Sequence, residues 1–86
     1  MFKKAYNVGD KVKIRSLKEF EENYPIDHGD FNAPGYYFVS NMFKACESIA
    51  TITGNCGDHY EVKFDDPELK DLEEYAWTIW MMRGID

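Results

Sequence analysis

The chain has 86 residues and a net charge of −6, enough for one domain with a small core. No apolar run approaches the length of a membrane span, and Met1 to Val8 has lysines but no apolar signal core, so the expected setting is cytoplasmic. Aromatic residues are dense, with six Phe, six Tyr and two Trp. Charge is blocked: residues 1–18 carry +5, residues 19–35 carry −5 and residues 58–74 carry −6. An acidic chain of this kind repels phosphate backbones, which argues against a nucleic-acid partner.

In chain order, Gly9-Asp10 is a turn pair that delivers a strand from Lys11 to Arg15. Val12 and Ile14 form its dry face, and Lys11, Lys13 and Arg15 its wet face. Ser16 with Glu19 fits a capping box. Leu17, Phe20 and Tyr24 then share one face of a short helix that Pro25 ends. Residues 25–36, with two prolines and two glycines, are expected to be an irregular loop, of a length often functional or mobile. Tyr36–Val39 reads as a short aromatic strand, and Ser40 or Asn41 as the cap of a turn holding Met42 and Phe43.

Ser48–Thr53 and His59–Phe64 flank a Gly54–Asp58 turn and form the clearest hairpin. Leu69 and Leu72 permit a helical turn inside the acidic stretch Asp65–Glu74. Tyr75–Ile79 is the expected last strand, with Trp80–Met82 leaving it as a turn and Gly84 breaking any continuation. Short strands without a βαβ rhythm predict a mainly β fold: one small SH3-like antiparallel barrel over residues 1–86, with one or two helical turns. Its core is expected to join Val12 and Ile14 with Ile52, Val62 and Trp77. A strand left unpaired at Tyr36–Val39 would allow a weak dimer in place of a monomer.

The ordered segments Val8–Leu17, Gly35–Met42, Cys46–Thr53, Tyr60–Asp66 and Tyr75–Trp77 resemble a group of small SH3-like barrel proteins of phages, prophages and bacterial mobile elements. The similarity spans residues 8–82. That group has Cys-Gly before its Ala-Thr-Ile strand, where this chain has Cys46-Glu47. Its closing strand places a polar residue where Ile79-Trp80 stand here, and its acidic insert is shorter. The resemblance implies a barrel and brings no catalytic residues with it.

Cys46, Cys56, His28 and His59 are the only soft metal-ligand set, and their spacing is irregular beyond Cys56-x-x-His59. The acids at 65, 66, 68, 71, 73 and 74 lack the glycine of a calcium loop, and Asp27–Asn32 lacks the order of one. No local pairing of nucleophile and base stands out. The chain is therefore read as non-enzymatic, without metal, cofactor or disulfide. Its tyrosines and tryptophans exceed what so small a core hides. The expected site is an aromatic groove for a protein or peptide segment, formed by Tyr36, Tyr37, Tyr75 and Trp80 with Asp65 and Asp66 beside it. The alternative for these rings places Tyr37 and Trp77 in the core and the rest half-buried. Two further readings stand behind it. One is an acidic DNA mimic that inhibits a host nuclease or defence system through Asp58–Glu74. The other is phosphate binding by Lys3, Lys4, Lys11, Lys13 and Arg15.

Overall fold

A computed structural model describes residues 6–27, 29–33 and 36–85. Among the described residues seven strands fall into two antiparallel sheets. The larger holds β1 (Lys11–Ile14), β5 (Ile49–Asn55), β6 (Tyr60–Phe64) and β7 (Met82–Gly84), in the order β6-β5-β1-β7. The smaller is a meander of β2 (Ile26–Asp27), β3 (Asp30–Ala33) and β4 (Tyr36–Phe38). Helix α1 (Leu17–Asn23) joins the first sheet to the second. The described residues also form three 3-10 helices: η1 (Ser40–Ala45), η2 (Pro67–Glu74) and η3 (Ile79–Met81). None of the described helices is long and apolar enough to cross a membrane.

The strand alternation of β1 works as expected. Val12 and Ile14 are fully buried while Lys11 is exposed. Val12 lies opposite Ala50 of β5 and Gly84 of β7, which stitches the start of the chain to its middle and end. In β6, Tyr60, Val62 and Phe64 point inward and Glu61 and Lys63 outward. The β5–β6 hairpin is the expected one, with an irregularity between Ile52 and Gly54. All five anticipated core residues are buried.

Ser16 and Glu19 close a capping box: Ser16 Oγ accepts the Glu19 N–H and the Glu19 carboxylate accepts the Ser16 N–H. The helix stops at Tyr24, whose backbone is extended before Pro25. It buries Phe20, whose ring stacks on Phe38 with centroids 3.9 Å apart. Phe38 meets Trp77 edge-on at 6.2 Å, and Trp77 meets Phe64 edge-on at 5.3 Å. Trp77 also donates its indole N–H to the Leu72 carbonyl at 2.9 Å. This aromatic line ties the meander to the larger sheet.

Three expectations need correction. Residues 25–36 contain β2 and β3 where an irregular loop was anticipated. Gly29, at φ +87°, supplies the turn that lets Asp27 face Asp30 and Ile26 face Phe31. The turn at Met42–Phe43 is preceded by Val39, with no side-chain cap from Ser40 or Asn41. The segment Tyr75–Ile79 adds only an isolated bridge between Trp77 and Tyr60, and the last strand is β7, which contains Gly84. The expected strand-rich fold with antiparallel sheets and short helices is present, and among the described pairings no closed ring of strands is found.

Candidate functional site

Helices η1 and η2 lie side by side and leave an open cleft of about 730 Å³ between them. Its walls are Ser40, Asn41 and Lys44 from η1 and Asp71, Leu72 and Glu74 from η2, with Tyr75 following η2. The sequence shapes this directly. Asp66 caps η2 by accepting the Glu68 N–H, and Pro67 occupies its start, where no donor is lost. Leu69 and Leu72 anchor η2 in the core, which turns Asp71 and Glu74 outward. On η1, Met42 and Ala45 are buried while Asn41 and Lys44 stay exposed. The Asn41 amide approaches the Tyr75 hydroxyl at 3.5 Å. The cleft thus offers a half-buried aromatic ring, neutral hydrogen-bonding groups, two carboxylates and one ammonium. Such a set can hold a polar, extended segment carrying a cation.

Of the six residues expected to form an aromatic groove, Tyr75 alone lines this cleft. Tyr36 instead donates its hydroxyl to Asp58 Oδ2 at 3.0 Å, and its ring meets His59 edge-on at 5.6 Å. Asp58 also bonds the His59 ring at Nδ1, 2.7 Å away. Both partners hold the Asp58 carboxyl below its ordinary range, His59 first, and the same bond pushes the Tyr36 hydroxyl up. Trp80 is half-buried, and its carbonyl accepts from Arg15 Nε at 3.1 Å and the Tyr24 hydroxyl at 2.9 Å. Tyr37 is 47% exposed, which corrects its alternative placement in the core. It pairs with Asn32 on the outer face of the meander while its neighbour Phe38 turns inward. Asp65 pairs with Lys11 at 3.0 Å, and Asp66 serves as the η2 cap.

The acidic stretch is partly committed to internal bonds. Besides Asp58, Asp65 and Asp66, Glu73 accepts the Phe64 N–H at 2.8 Å and covers the outer edge of β6. Among the described residues no three His, Cys, Asp or Glu side chains gather as a metal site, and His28 lies outside the described residues. Both cysteines are free thiols. Burial, reinforced by Glu47 and Glu19, pushes Cys46 up to about 11, far from a reactive thiolate. Cys56 is exposed, and its thiol is also pushed up, by desolvation first and then by Glu61 and Asp58.

Sequence reasoning missed Ser40, Asn41, Lys44, Asp71 and Glu74 as a group. The only signal was the pair of short amphipathic turns, each with an apolar i, i+3 pair, and nothing local places them side by side. No protein-family model, no curated protein and no solved structure matches the chain.

Proposed function

We propose that this protein is a small non-enzymatic interaction module of the SH3-like barrel type, resembling those of phages and mobile elements, that binds an extended peptide of a cytoplasmic partner. The barrel reading is supported by the strand order β6-β5-β1-β7, in which the last strand returns to the first through a 3-10 turn. It is also supported by Tyr6, which spans the two sheet edges. Its N–H donates to the Tyr60 hydroxyl at 3.0 Å, and its ring lies against Gly84 of β7.

The observation that carries the binding reading is the η1–η2 cleft with Tyr75 in its wall and Asp71 and Glu74 beside it. A tyrosine face supplies contact area at little entropic cost, the Asn41 amide can bond a peptide carbonyl, and the carboxylates favour a Lys or Arg in the ligand. Tyr36, Tyr37 and Trp80, with Asp65 and Asp66, are secondary candidates for contacts outside the cleft.

Peptides selected from a random library on the immobilised protein, then measured by fluorescence anisotropy, test this. Tyr75→Ala is expected to weaken the selected peptides about 30-fold, the scale of an aromatic hot spot. Asp71→Lys should weaken basic peptides and spare neutral ones. Full affinity in both variants would refute the cleft as the site.

A further inference from the structure

The cations scattered through the sequence meet on one sheet face. Directly opposed residues of an antiparallel pair share a face. Lys63 of β6 lies opposite Thr51, and Thr51 opposite Lys11. One step along, Ile49 lies opposite Lys13, and Lys13 opposite Arg83 of β7. All of these point away from the core, since their strand neighbours Val12, Ala50, Val62 and Met82 are buried. The face therefore carries Lys11, Lys13, Lys63 and Arg83.

Two acids share the face: Asp65, bonded to Lys11, and Glu61, two residues before Lys63 at the hairpin end; beside the face Glu19 is bonded to Arg15. Lys13, Lys63 and Arg83 have no ion pair among the described residues. Lys13 lies directly opposite Arg83, a like-charge pair with the Glu19 carboxylate within electrostatic reach of Arg83. The chain as a whole carries −6, so four cations gathered on one face stand against its net charge.

We propose that this face binds the phosphate backbone of duplex nucleic acid, without reading its sequence. The chemistry selects that partner over two others. Protein interfaces are depleted in lysine at their centre, and this face has lysine there. Single strands are held by aromatic stacking beside the cations, and no aromatic ring stands in these two rows. The patch also has the breadth for a duplex: three strand spacings separate β6 from β7, about 14 Å. The major groove is about 12 Å wide, so Lys63 and Arg83 can address phosphates on its two sides while Lys13 lies between. This surface is independent of the peptide cleft, and together they would let the module bridge a protein and a nucleic acid.

Anisotropy of a labelled short DNA duplex, titrated with the full chain, tests the proposal. Binding in low salt should fall with a log–log slope near −3, about 60-fold between about 50 and 200 mM salt. The triple variant Lys13→Glu, Lys63→Glu, Arg83→Glu should lose binding, while Lys18→Glu and Lys70→Glu, off this face, retain it. Should the triple variant misfold, the single changes Lys63→Gln and Arg83→Gln should each flatten the slope by about one unit. The proposal is overturned by no binding in low salt, by a flat slope, or by slopes unchanged in the single variants. It is equally overturned if a single strand of the same length binds more tightly, or if polyglutamate competes as well as unlabelled duplex.

Discussion

The two sheets are built on opposite plans. The four-stranded sheet pairs segments far apart in the chain, Lys11–Ile14 with Ile49–Asn55 and Met82–Gly84, over an aliphatic floor of Val12, Ile14, Ala50, Ile52 and Val62. The meander pairs only near neighbours within residues 26–38, and a few aromatic contacts seat it, chiefly Phe38 on Phe20. The first sheet is costly to close but held on many sides. The second closes cheaply and depends on its aromatic seat. Both binding surfaces proposed above use elements braced by the larger sheet, where side-chain positions are set by register.

That contrast can be broken at its joint. Trp77→Ala removes the ring that links Phe38 to Phe64 and the bond to Leu72, and should cost about 3–5 kcal/mol in urea denaturation. In native-state hydrogen exchange the same variant should release the meander amides before those of β1 and β5. Simultaneous release would mean that the two sheets are one cooperative unit.

Ser16→Ala should cost about 1 kcal/mol, because it undoes the capping box that starts α1 beneath the meander. Glu47 adopts φ +67°, a left-handed conformation, at the position where the resembling barrel group has glycine. Relief of about 1–2 kcal/mol of strain is offset by the added freedom of glycine in the unfolded chain, so Glu47→Gly should stabilise by roughly 0.5 kcal/mol. Arg83→Thr removes both the repulsion against Lys13 and the attraction to Glu19, and should change stability by no more than a few tenths of a kcal/mol, measured by thermal melting. The last effect is absent at neutral pH and appears only in alkali. Burial raises the Cys46 thiol from 9.0 to about 11, so its contribution is complete below pH 9 and fades as pH rises towards 11. Cys46→Ala should remove that alkaline component from the stability profile, and alkylation at neutral pH should modify Cys56 well before Cys46.

Much of the larger sheet was legible in the sequence, because its strands alternate cleanly and its hairpin has an unmistakable turn. The capping box and the helical turn at Leu69 and Leu72 were legible for the same reason: each is a local pattern with a local cause. The meander was hidden. Its strands are two to four residues long, too short for a period to register, and prolines beside glycines read as a loop. The last strand was misplaced by two turns because Trp77 is buried by aromatic packing and a single bridge, with no ladder. The cleft and the cationic face share a further reason. Lys63 and Arg83 are separated by twenty residues and only the β6–β5–β1–β7 register brings them to one face, as only tertiary packing sets η1 against η2.

The binding account stands or falls on where a peptide lands. Amide chemical-shift mapping, with a library-selected proline- and arginine-containing peptide titrated into the labelled protein, answers this directly. The account predicts perturbations concentrated at Ser40, Asn41, Lys44, Asp71, Glu74 and Tyr75, with β1 and β7 unmoved. Perturbations centred on Tyr36 and Tyr37, on Trp80, or on the cationic sheet face would contradict it.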